Sequence, residues 1–232
     1  VIGGIVNKFQ SNSISGNGDI IVVEADEFDR SFLTLQPTMG VITNLDLEHL
    51  DCYENLEDLK NAFKQFANAV PFYGKVVVGL DNNNAGSIIK KINRPVITFG
   101  LNEKSQVKAE NLIYSKNTSS FSLIINNKKK GVLKINVPGE HNVKNALAAI
   151  SIALELDISI ENIKNGLKQY SGVRRRFDIK YNTSNKILIV DDYAHHPEEV
   201  LATINAAKNG WDKRLIAIFQ PHLFSRTRDF YK

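Results

Sequence analysis

Short apolar runs that stop abruptly at acidic residues punctuate the first third of the chain. Residues 20–23 run into Glu24, Asp26 and Glu27, and residues 41–43 run into Asn44, Asp46, Glu48 and His49. Continuous Val/Ile runs without alternation predict parallel strands buried on both faces. Between them the spacing turns helical. Residues 28–35 read as a helix stopped by Pro37. Leu56, Leu59, Phe63, Phe66, Ala67 and Val70 form an apolar stripe down a helix over 55–70. Further strands are predicted over 1–6, 75–80 and 95–100, with a helix over 85–92. This alternating order predicts an α/β fold with a doubly wound parallel sheet.

The pattern changes after Gly100. Over 107–137 polar and apolar residues alternate around turns such as 126–131, which predicts a small antiparallel sheet. Pro138 and Gly139 close it. Helices follow over 142–156 and 160–170, the second capped by Ser159. Residues 171–177 are basic, contain a glycine, and read as a domain boundary. A hairpin over 177–191, a helix over 197–209 and a buried strand over 215–219 then restart an α/β pattern.

The chain's 232 residues hold one large domain or one and a half ordinary ones. A composition of 43% hydrophobic and 23% charged residues is that of a soluble globular protein. The net charge of +4 is spread along the chain, with basic runs only at 128–130 and 174–176. That suits anionic small molecules and offers no wide face for nucleic acid. One cysteine, Cys52, leaves no internal disulfide framework and fits a reducing cytoplasm. No apolar run approaches a membrane span, and no secretory signal pattern is present. The chain opens at Val1 inside an apolar run and closes at Lys232 just after a motif-like segment, so the expectation is an internal piece of a longer protein.

In open α/β sheets ligands collect at the carboxyl ends of the strands. The acids after 20–23 and 41–43, with His49, are therefore expected on one rim, where they suit a Mg²⁺–nucleotide site. Solvated strand ends or helix caps are the alternative. Gly139-Glu140-His141-Asn142-Val143-Lys144-Asn145 puts Asn142 and Asn145 on one helix face. Their amides can read a base edge on which the His141 ring stacks; spacing alone favours a helix cap by Asn142. Arg174, Arg175 and Arg176, before Phe177, can clamp phosphate or form a charged surface turn. Asp191-Asp192-Tyr193-Ala194-His195-His196-Pro197 follows a strand and suits substrate binding better than metal, because adjacent ligands rarely face one ion. In the last segment, Gln220 to Arg228, Arg226 and Arg228 suit a carboxylate or phosphate.

Taken together these segments resemble the Mur ligase family. The resemblance is carried by Glu24-Ala25-Asp26-Glu27, Thr43-Asn44, His49-Leu50-Asp51, His141 to Asn145, Arg175-Arg176-Phe177, Asp191 to Pro197 and Phe219-Gln220-Pro221-His222, in order and spacing over nearly the whole chain. It implies a P-loop-type ATP-binding middle domain over 1–174 and the start of a C-terminal Rossmann-like domain over 175–232. The family's phosphate loop would precede Val1; no G-x-x-x-x-G-K-[ST] occurs in the chain. The implied reaction is ATP-dependent ligation of L-alanine to the carboxylate of UDP-N-acetylmuramate, through an acyl phosphate, in cytoplasmic peptidoglycan synthesis.

By the same resemblance Glu24 and His49 are Mg²⁺ ligands, and His141, Asn142 and Asn145 form the adenine site. Arg176 and Asp192 are similar to the ATP phosphate and ribose contacts, and His195 and Arg226 to residues that hold muramate and alanine. Family members often carry Arg where this chain has Leu223, so the anchoring cation would be missing or come from Arg226 or Arg228. A related recycling ligase adds a preformed tripeptide instead; Gln220-Pro221-His222 followed by Ser225-Arg226-Thr227 favours alanine. A non-catalytic nucleotide-binding remnant is the reading from a different class.

Overall fold

The computed structural model describes residues 1–46, 52–183 and 187–221. Its centre is a six-stranded sheet of β1 Met39–Ile42, β2 Lys75–Gly79, β3 Val96–Gly100, β4 Val107–Ser115, β5 Thr118–Ile125 and β6 Lys128–Ile135, in that spatial order. The first four strands pair in parallel and the last three antiparallel. The hairpins predicted over 107–137 thus continue the parallel sheet, through a short ladder of Phe99 with Val107 and Gly100 with Lys108. Asn126 and Asn127, at φ 48° and 62°, make the two-residue turn between β5 and β6, a conformation asparagine tolerates.

Pleating sorts the side chains of β2 between two cores. Val76 and Val78 pack with α1 Leu56–Ala69 and α2 Asn83–Ile88; Val77 packs with α3 Glu140–Glu155 and α4 Ile160–Gln169. Helices therefore cover both faces, the α/β architecture that the alternating pattern predicts. The stripe on α1 buries Leu59, Ala62, Phe66 and Ala67, and Asn55 caps it by accepting the Asp58 N–H at 3.0 Å. Ser159 caps α4 in the same way, taking the Asn162 N–H at 3.3 Å. Phe28–Thr34 is a 3₁₀ segment rather than an α-helix, interrupted by positive φ at Asp29 and Arg30.

Beyond residue 177 come β7 Asp178–Thr183, β8 Ile187–Asp191, paired antiparallel, and α5 Pro197–Gly210. The end of α5 meets the β4–β5 turn, where the Lys116 N–H donates to the Gly210 carbonyl at 2.9 Å.

The strand expected over 1–6 and the buried strands expected over 20–23 and 215–219 are a correction. The Val1 amino group donates to the Val22 carbonyl at 2.8 Å and the Glu24 N–H to the Val1 carbonyl at 2.9 Å, the hydrogen-bond pattern of a parallel bridge between Val1 and Val23. Val6 bridges to Ser11 and Val173. Yet Ile21 is 83% and Ile218 97% exposed. An apolar run becomes a buried strand only where neighbours take up its edges and a helix layer covers it. Among the described residues the first two runs have only these single bridges along their edges, and Ile21 and Ile218 stay open to solvent.

Candidate functional site

The rim beyond β1 is built from side chains that hold one another. Thr43 donates to Asn44 Oδ1, Asn44 Nδ2 to Asp46 Oδ2 and Asn82 Nδ2 to Asp46 Oδ1, each at 2.9 Å. Asn82 also caps α2, accepting the Ala85 N–H at 2.9 Å, while Asn84 donates to the Leu45 carbonyl at 3.0 Å. The network fixes the exit of β1 against the start of α2. A cleft of about 150 Å³ opens here, lined by Glu27, Asn44 and Asp46 together with Phe32, Phe63 and Phe66. The expected gathering of acids and an amide at one strand end is therefore present for these three residues.

Glu24 lies on an exposed segment tied to the chain start: Gly3 N–H donates to Glu24 Oε2 at 2.6 Å. Asp26 accepts the Phe28 N–H at 2.9 Å, an Asx turn just before the 3₁₀ segment, whose N-cap is Glu27. His49, expected beside Glu24, lies outside the described residues, as do Glu48, Leu223, Arg226 and Arg228. Among the described residues no three His, Cys, Asp or Glu side chains converge enough to hold a metal alone. Mg²⁺ takes hard oxygen donors, often one or two carboxylates with phosphate oxygens and water completing its shell. Glu24, with a second carboxylate oxygen beyond the one that takes Gly3, fits that limited share.

The second cluster starts α3. Gly139 stands at φ 95°, and a Cβ there would fall 2.7 Å from His141 and 2.9 Å from Ala206 of α5. A glycine is required both by conformation and by the approach of α5. His141 is half-buried, and burial lowers its pKa; Asp192 opposes that shift while Arg176 and Lys144 reinforce it. The imidazole is thus held neutral. Asn142 does not cap the helix: Gly139 is the N-cap, and Asn142 Nδ2 donates to the Pro138 carbonyl at 2.7 Å and lies 3.1 Å from His141 Nε2. Asn145, a turn further on, is exposed.

The third cluster is the hinge. Asp192 accepts the Phe177 N–H at 2.7 Å and the Ala194 N–H at 2.8 Å, one on each oxygen. It therefore shapes the hinge itself, with lone pairs left over for a ligand hydroxyl. Arg175 lies 4.5 Å over the Tyr193 ring, and Phe177, at φ 46°, is buried against Trp211 with centroids 5.4 Å apart. Arg176 meets Glu199 at 3.1 Å. His195 Nδ1 lies 2.7 Å from the Tyr193 carbonyl, which can only accept, so Nδ1 is the donor in that contact. His141, Asp192 and Arg176 thus share one electrostatic neighbourhood.

Sequence reasoning gave no site role to Asp81, Asn82, Lys144 or Glu199. Asp81 accepts the Leu101 and Asn102 N–H groups at 2.9 to 3.0 Å and lies 3.8 Å from Lys144 Nζ, tying β2, β3 and α3 together. Its signal was legible: like Glu24 it is an acid at a strand end. Glu199 was visible as the third residue of a helix that opens with Pro197.

Residues 6–153 match the Mur ligase middle domain and residues 175–232 the Mur ligase, glutamate ligase domain. The UDP-N-acetylmuramate–L-alanine ligases of Chlorobium phaeobacteroides and Salinibacter ruber are 48% and 44% identical over 231 residues, 99% of this chain. The chain spans 50% and 48% of those relatives, about half their length. The structure of the UDP-N-acetylmuramate-alanine ligase MurC of Thermotoga maritima is similar at TM-score 0.78 and 30% identity, covering 91% of this chain and 47% of that one. MurF of Acinetobacter baumannii is similar at TM-score 0.66 and 25% identity, over 75% of this chain and 38% of that one. With consecutive parts of the chain matching consecutive domains of one family, and the sheet built the same way, the chain belongs to the Mur ligase family.

Proposed function

We propose that the chain supplies the ATP-binding domain, over 1–174, and the start of the C-terminal domain, from 175, of an enzyme that joins L-alanine to UDP-N-acetylmuramate. The work belongs to peptidoglycan synthesis in the cytoplasm. The observation that carries this reading is identity of 44% to 48%, sustained over 99% of the chain, to ligases of that name.

In the reaction a muramate carboxylate oxygen attacks the γ-phosphorus of ATP, and the bond to ADP breaks. The alanine amine then attacks the acyl carbon, and the tetrahedral intermediate collapses with release of phosphate and of the proton on nitrogen. Positioning and charge neutralisation dominate such chemistry. Mg²⁺ held by Glu24 and His49 would neutralise phosphate charge when bound. His141, kept neutral by burial, presents an uncharged ring to adenine beside Asn142 and Asn145. Arg176 faces phosphate, the spare lone pairs of Asp192 take ribose hydroxyls, and His195 and Arg226 hold muramate and alanine.

The test is an assay of the full-length protein that carries these residues, with ATP and UDP-N-acetylmuramate, offered L-alanine or a preformed tripeptide. Product with alanine alone is expected. Product with the tripeptide alone would replace this reading with the recycling ligase, and no ATP-dependent product with either would leave the non-catalytic remnant.

A further inference from the structure

Glu199 is the hub of the hinge cluster. Its Oε1 meets Arg176 Nη1 at 3.1 Å, and its Oε2 accepts the His195 N–H at 3.1 Å and the His196 N–H at 3.4 Å. The same oxygen lies 3.5 Å from His195 Nδ1. A helix cap explains part of this: His196 is the N-cap of α5, accepting the Glu198 N–H at 3.3 Å, and Glu199 returns the bond to the His196 N–H. A cap uses one oxygen. The other reaches across to the hinge arginine, which no cap requires. Burial would raise the Glu199 carboxyl; the His195 N–H and the Arg176 guanidinium overcome it and hold it below the usual carboxylate range.

We propose that Glu199 is a positioning residue for ligation, holding Arg176 on the phosphate side and His195 on the substrate side at a fixed separation through one carboxylate. The proposal rests on the roles given above to Arg176 and His195. It needs no contact between Glu199 and either substrate. Loss of the carboxylate releases both groups at once, so binding of ATP and of UDP-N-acetylmuramate weakens together.

Glu199→Gln separates this role from the cap. Glutamine serves equally at the third position of a capping box, so α5 persists, but its single acceptor oxygen cannot serve the His195 backbone and Arg176 together. In the full-length protein we expect Glu199→Gln to keep a near-native melting temperature while KM rises about tenfold for both ATP and UDP-N-acetylmuramate, the loss expected for a charge-assisted hydrogen bond. Glu199→Asp, which keeps the charge, should recover part of it. In the Arg176→Ala background Glu199→Gln should add nothing to the ATP defect. Unchanged KM values in Glu199→Gln, beside clear defects in Arg176→Ala and His195→Ala, would overturn the proposal alone. Normal KM values in Arg176→Ala and His195→Ala would overturn the roles on which it rests.

Discussion

Glu24 gives one oxygen to the Gly3 N–H, and the rest of its carboxylate is what a cation would use. Glu24→Ala in the full-length protein should therefore abolish Mg²⁺-dependent ligation; near-native turnover would remove its metal role. His141 gives a prediction with a definite sign. Burial holds its folded pKa below the ordinary 6.5, so the unfolded chain takes up its proton first. Its contribution to stability is complete above about pH 6.5 and is lost as pH falls through the folded value. Urea midpoints should decline below that pH, and His141→Asn should flatten the decline; an unchanged profile would show that the ring is not held neutral. At this scale the motifs were legible because they are runs of unusual residues: His141, Asn142 and Asp192 were singled out, and Arg176 and Asp192 both bear on the charge of His141. The detail was not legible. Nothing in the spacing says that Asn142 turns its amide to Pro138 instead of capping, or that Asp192 commits both oxygens to hinge amides, since those bonds depend on how the chain folds back.

The elements were legible wherever packing agrees with local pattern. The stripe on α1 and the Ser159 cap of α4 stand as read, whereas the turn read over 126–131 shortens to Asn126 and Asn127, and the Asn55 cap was not read from the sequence. Asn55→Ala should destabilise by about 0.5–2 kcal/mol, a lost cap. Leu147→Ala, at a fully buried position of α3, should cost about 2–5 kcal/mol through the cavity left behind. Denaturant melts check both; a Leu147→Ala loss under 1 kcal/mol would mean that the core collapses around the gap. The runs over 20–23 and 215–219 failed as strands for one shared reason. An apolar run records only that burial is favourable, and the partner that provides it is a tertiary fact. The antiparallel region is the converse case: its strands were read well, but their continuity with the parallel sheet rests on two residue pairs of β3 and β4.

For the whole molecule, the segment over 1–7 links the parts. It pairs with the Glu24 run at one end and, through Val6, with Val173 at the other. Isolated residues 1–232 are predicted to show no ATP-dependent ligation, because the family's phosphate loop is not in this sequence; turnover by that polypeptide would refute the expectation. The contact at the far end of α5 carries a mechanical consequence. The two parts are joined covalently through the hinge and clasped again where the Gly210 carbonyl receives Lys116. A Cβ at Gly210 would fall 2.7 Å from the Lys116 carbonyl oxygen. Gly210→Ala should accordingly break this contact while α5 keeps its packing of Ala206 beside Gly139, and a lower melting temperature would measure what the contact contributes.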